Sequence, residues 1–75
     1  MNGDKRMANA VVEIEARAKA FAGEGVKTHR FRVDPNGDVR VWDRVAGYFT
    51  GCNSLSESAK KRISKLAADL RDASA

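Results

Sequence analysis

The stretch HRFRVDPNGDVRVWDR, His29 to Arg44, gathers four arginines, the chain's only histidine and its only tryptophan around a tight turn. Guanidinium groups grip carboxylates and phosphates in a bidentate fork, and an indole gives a large apolar anchor. The chemistry such a set points to is recognition of an acidic partner. The spacing gives the set a geometry. Asp34-Pro35-Asn36-Gly37 suits a reversal in which Pro35 presets φ and Gly37 takes the left-handed position. With Pro35, Asn36 and Gly37 as the loop, Val33 opposes Val39, Arg32 opposes Arg40, Phe31 opposes Val41, Arg30 opposes Trp42 and His29 opposes Asp43. Phe31, Val33, Val39 and Val41 then share one face of the hairpin, and Arg30, Arg32, Arg40, Trp42 and Arg44 share the other.

Arg32 directly opposite Arg40 is unfavourable, because like charges reverse a cross-strand stabilisation of roughly 0.2–1 kcal/mol. Two arrangements offset the repulsion. In one, Asp34 and Asp38 bond diagonally to the arginines while Arg30 stacks on Trp42, which leaves an ordinary solvated surface. In the other, an external anion sits on the face, either nucleic-acid phosphates or a carboxylate-rich protein surface, with Trp42 or Tyr48 as the aromatic contact. A second basic group, Lys60, Lys61 and Lys65 with Arg62, reads first as the wet side of a helix. As a site it would hold phosphates beside that helix's amino terminus.

Other chemistry finds little footing. His29 opposite Asp43 looks like half of a dyad but reads better as a structural pair, with no nucleophile demonstrably in reach. Cys52 stands before a helix amino terminus, where a thiol pKa can fall, yet a small buried cysteine is the commoner case. One Cys and one His do not make a zinc site, and Gly23-Glu24-Gly25 is a helix stop rather than a phosphate loop. The expectation is a protein that is not an enzyme and needs no metal or cofactor.

The elements that must hold these residues follow from periodicity. Met7, Val11, Ile14, Ala18 and Phe21 step by four and three, which predicts a helix from Asp4 to Ala22, capped by Asp4 or Asn9 and ended at Gly23 and Gly25. After the hairpin, a connection at Ala46-Gly47 leads to a short third strand through Tyr48, Phe49 and Thr50; a one-residue difference in that turn swaps which of Tyr48 and Phe49 points inward, so the register stays open, with Phe49 inside the favoured choice. Ser54-Leu55-Ser56-Glu57 fits a capping box for a second helix running to about Arg71, with Leu55, Ala59, Ile63, Leu66, Leu70 and Ala73 on its apolar stripe. The expected fold is α+β, ordered helix, three-stranded antiparallel sheet, helix, with both helices on one face of the sheet. Residues 1–75 make one small domain whose core is only just sufficient, so a homodimer would help it.

Charge is concentrated in the middle of the chain. Residues 26–65 carry nine basic and four acidic groups, whereas residues 1–25 balance at four of each. A single cysteine precludes an internal disulfide, no apolar run suggests a membrane span, and the first residues lack the uninterrupted apolar stretch of a signal peptide. The expected location is the cytoplasm of a bacterial cell.

Val39 to Ile63, VRVWDRVAGYFTGCNSLSESAKKRI, resembles a class of short proteins of bacteria, phages and plasmids. In these an acidic strand end leads to an Ala-Gly turn, an aromatic strand with Thr and Cys, and a Ser-capped basic helix. In size and order of elements the chain is similar to small phage-encoded inhibitors of the anti-CRISPR kind, which share no common motif. The resemblance implies only a way of working, the occlusion of a host nucleoprotein complex by surface contact. The expected function is therefore binding through Arg30, Arg32, Arg40, Trp42 and Arg44. The alternative is a small nucleic-acid-binding protein that contacts phosphates directly.

Overall fold

The structure, a computed structural model, describes residues 10–52 and 54–74. Its elements in chain order are β1 (Val12–Ala18), β2 (Lys27–Val33), β3 (Val39–Asp43), β4 (Tyr48–Gly51) and α1 (Glu57–Ser74). The strands form one antiparallel sheet in the order β1-β2-β3-β4, and α1 packs across β1, β2 and β3 on one side of it. Among the described residues no helix is long and apolar enough to cross a membrane.

The class is α+β, but the expected amino-terminal helix is replaced over Val12–Ala18 by a strand, so the sheet has four strands rather than three. Residues 4–9 of that expected helix, with Met7 and the caps Asp4 and Asn9, lie outside the described residues, and residues 10–11 and 19–22 are not helical. The physical reason is a second periodicity in the same stretch. Val12, Ile14, Ala16 and Ala18 alternate with Glu13, Glu15 and Arg17, which is the period of a half-buried strand. The hairpin alone would leave seven-residue β2 unpaired along one side. β1 pairs with its whole length, Val12 opposite Val33 through Ala18 opposite Lys27.

The β2–β3 hairpin has the expected register, Phe31 opposite Val41, Arg32 opposite Arg40 and Val33 opposite Val39. Gly37 sits at φ +92° and its amide donates to the Asp34 carbonyl at 2.9 Å, while the Asp34 amide donates to the Asp38 carbonyl at 2.9 Å. A non-glycine residue would be strained at Gly37. Asn36 Oδ1 also accepts from the Asp38 amide.

β4 departs from expectation. Arg44–Gly47 forms a four-residue connection, closed by the Gly47 amide on the Asp43 carbonyl at 2.7 Å, with Asp43 Oδ1 accepting from the Val45 and Ala46 amides. That loop length pairs Trp42 with Phe49 and Val41 with Thr50. Thr50 thus faces α1, and Phe49, expected inside, stands on the outer side beside Trp42.

The helix starts later than the capping box implied. Cys52 and Leu55 close a turn through the Leu55 amide, and the cap is Ser56, whose Oγ accepts from the Ala59 amide at 3.1 Å. Its buried stripe runs through Ile63, Ala67 and Arg71, leaving Leu66 and Leu70 more than two-fifths exposed, contrary to the expected stripe. Small Ala67 lets the helix lie close to the sheet. The core joins Ile14, Phe31, Val33, Val39 and Val41 to Leu55, Ile63 and Ala67, with Phe31, Val33, Val41 and Ile63 fully enclosed. Each such side chain contributes on the order of 1.5–3 kcal/mol. Buried Arg71 ties this layer together, donating from Nε to the Ala10 carbonyl at 2.9 Å and from Nη2 to the Val33 carbonyl at 2.8 Å.

Candidate functional site

The sheet face away from α1 is built from the outward residues of all four strands. β2 contributes Arg30 and Arg32, β3 contributes Arg40 and Trp42, and β4 contributes Phe49, by the alternation that sends their neighbours Phe31, Val33 and Val41 inward. Toward its β4 edge the Trp42 and Phe49 rings meet edge to face, centroids 5.1 Å apart, and the Arg32 guanidinium lies 4.1 Å over the Phe49 ring. Both rings are half-buried, so they are packed on one side and open on the other. The cation–π partners differ from those expected, Arg32 with Phe49 replacing Arg30 with Trp42.

Strand β1 changes the electrostatics of this face. Glu13 stands opposite Arg32 and Glu15 opposite Arg30. Arg32 Nη2 donates to Glu13 Oε2 at 3.0 Å, and Arg40 Nε donates to Asp38 Oδ2 at 3.2 Å, which relieves the Arg32–Arg40 repulsion. These pairs are about half exposed, and each contributes at most about 1 kcal/mol. The surface is therefore mixed in charge rather than uniformly basic. A shallow hollow of about 560 Å³ is bordered by Glu13, Arg32, Arg40, Tyr48 and Phe49. Arg30 and the turn residue Arg44 are exposed and make no ion pair among the described residues.

The nine residues singled out from sequence fall into two separated groups. Arg30, Arg32, Arg40, Trp42, Arg44 and Tyr48 belong to the open sheet face or its rim, with Tyr48 60% exposed at the end of β4. Lys60, Lys61 and Lys65 belong to α1, which lies against the opposite face, so the two basic groups do not adjoin. Lys60 reaches Glu57 at 3.7 Å and Lys65 reaches Asp69 at 3.5 Å, the ordinary pairing of a solvated helix side. Phe49, Glu13 and Glu15 were missed as members of the face. The signal for the glutamates was the two-residue alternation of VEIEARA.

His29 does not pair with Asp43. Its Nε2 donates to Glu24 Oε2 at 2.7 Å, and the same oxygen accepts the Ala20 and Phe21 amides at 3.1 and 3.2 Å, which folds the β1–β2 connection around one carboxylate. The His29 ring is held edge-on between Phe21 and Phe31. Partial burial works to raise the Glu24 pKa, but the bonds from His29, Ala20 and Phe21 outweigh it and hold the carboxyl below its ordinary value. Cys52 is at the other end of the sheet, beside Gly51 opposite Arg40. Burial pushes its thiol up, Lys60 opposes that and Asp38 adds to it, so the sulfur is kept as a thiol rather than a nucleophilic thiolate. No group of three or more metal-binding side chains occurs among the described residues.

No protein-family model, no curated protein and no solved structure matches the chain.

Proposed function

We propose that this chain acts by binding rather than catalysis, docking the open face of its sheet on a protein surface of a host nucleoprotein complex and blocking that complex by occlusion, as a phage or mobile-element inhibitor would. The observation that carries the reading is the Trp42–Phe49 pair with Arg32 stacked on it, left uncovered on the open face where β3 meets the edge strand β4. Aromatic and arginine side chains on a fixed scaffold are the residues that dominate interface energies, and the surrounding ion pairs give orientation more than affinity. Arg30 and Arg44, with Arg17 of β1, are exposed arginines that make no ion pair among the described residues and can engage a partner's carboxylates.

Direct binding of nucleic acid through the same face is the second reading, supported by those same exposed arginines. Glu13 and Glu15 weigh against it, because they set carboxylates among the groups that would meet a polyphosphate, whereas a protein surface offers both signs of charge. Salt separates the two. A duplex-binding face loses affinity linearly in log salt, with a slope near 0.9 per phosphate contact, while an anchored protein interface loses mainly association rate. The emission of Trp42, the chain's only tryptophan, reports on the aromatic part of the face. Titration with a duplex oligonucleotide at rising salt should leave that emission unchanged at physiological ionic strength; a saturable shift there with a steep salt slope would replace the first reading by the second.

A further inference from the structure

The two edges of the sheet are finished differently. At β1, guanidinium groups from α1 occupy backbone carbonyls at either end of the strand, Arg62 Nη2 on the Arg17 carbonyl at 2.7 Å and Arg71 Nε on the Ala10 carbonyl at 2.9 Å. The strand also carries Glu13, Glu15 and Arg17, charges of the kind that keep edges from pairing with other chains. At β4 neither device is present. No side-chain or backbone group among the described residues bonds to Tyr48–Gly51 from outside its ladder with β3. The strand holds no charge and no proline, and it lies inside the longest uncharged run of the chain, Val45–Ser56. Val45 is 99% exposed and Tyr48 60% exposed, so apolar surface continues beside this edge.

We infer that β4 is a self-association edge, pairing antiparallel with β4 of a second copy about a two-fold axis perpendicular to the sheet. Charge supports a second copy as the occupant. In a chain of net charge +4, β4 itself brings no charge to the seam, and the guanidinium that lies over Phe49, that of Arg32, is already paired with Glu13, so two copies approach here with little like-charge repulsion. The symmetry also restricts the register. A perpendicular axis keeps the same face up in both copies, and directly opposed residues share a face, so odd must meet odd and even must meet even. Of the two central registers, one sets Thr50 against the partner's Thr50 and leaves Phe49 facing the partner's Gly51. The other sets Phe49 against the partner's Phe49, which extends the edge-to-face contact of Trp42 and Phe49 into a continuous aromatic row across the axis. Cross-strand aromatic pairs favour the second.

The junction is short, and interfaces well below about 1,200 Å² are weak, so the dimer forms with a Kd on the order of 10–100 µM. It goes beyond the docking reading, because the axis lies at the edge and leaves the open face uncovered in both copies. Sedimentation velocity of the full chain from about 10 to about 500 µM, a range that brackets such a Kd, is expected to show a monomer converting to a dimer. Phe49→Lys, which sets two ammonium groups on the axis, is expected to weaken the dimer about tenfold or more. Under mild oxidation in a Cys52→Ser background, Phe49→Cys is expected to give a cross-linked dimer and Tyr48→Cys, displaced from its own counterpart, is not. A sedimentation coefficient that stays monomeric across the whole range overturns the proposal whatever the variants do, as does a dimer that Phe49→Lys leaves unchanged with its circular dichroism intact.

Discussion

The two faces of the sheet take alternate residues from the same strands and treat arginine in opposite ways. On the covered side Arg71 is buried and bonded to two backbone carbonyls, so it acts as a rigid tie between α1, the start of β1 and the end of β2. On the open side Arg32 is two-fifths exposed, paired with Glu13 and stacked on Phe49, so it remains within reach of solvent and of a partner. The lesson is that charge count alone does not mark a binding surface. An arginine whose donors are spent on buried carbonyls holds the fold, and one lying over an uncovered aromatic can change partners at small cost.

That contrast can be broken most sharply from the covered side. Phe31→Ala removes a fully enclosed ring from the middle of β2 and is expected to lower unfolding free energy by about 3–5 kcal/mol in urea denaturation. Arg71→Ala leaves the Ala10 and Val33 carbonyls without their donor and should cost about 2 kcal/mol, measured the same way. A loss as small as that of a surface ion pair would mean Arg71 is no tie. Glu24→Gln sharpens the contrast through pH. Because the folded Glu24 carboxyl lies below its ordinary value of 4.5, its stabilisation is present above that pH and lost as pH falls through the lower, folded value. Melting curves between neutral and acid pH should therefore fall less steeply for Glu24→Gln than for the parent chain. On the open face, Glu13→Ala should change stability by no more than about 0.5 kcal/mol, since its ion pair is half exposed. Its larger consequence is electrostatic: freed of Glu13, Arg32 should raise the affinity of the face for duplex DNA at low salt.

Sequence reading succeeded where local chemistry and alternation agreed. The Asp34–Gly37 turn set the hairpin register, and the register set which residues share a face with Trp42. It failed at the amino-terminal stretch because two periods overlap there. Ile14, Ala18 and Phe21 step as a helix while Val12, Ile14, Ala16 and Ala18 step as a strand, and alanine, glutamate and arginine favour the helix locally. The choice is decided by the open side of β2, a contact remote in sequence. Phe49 was misplaced for a different reason: a strand's facing depends on the parity of the preceding turn, and the connection takes in Arg44 and Val45 as well as Ala46-Gly47. Both errors touched the candidate site, since one hid the carboxylates that temper its charge and the other hid half of its aromatic centre.

The reading of the open face as the working surface is tested most directly by capture from nuclease-treated bacterial lysate on immobilised protein, comparing the parent chain with Trp42→Ala and Arg40→Ala after circular dichroism shows both variants folded. The account predicts a defined protein complex retained by the parent and reduced about tenfold or more by Trp42→Ala, with a smaller loss for Arg40→Ala, whose guanidinium is already engaged by Asp38. Equal retention by all three would contradict it.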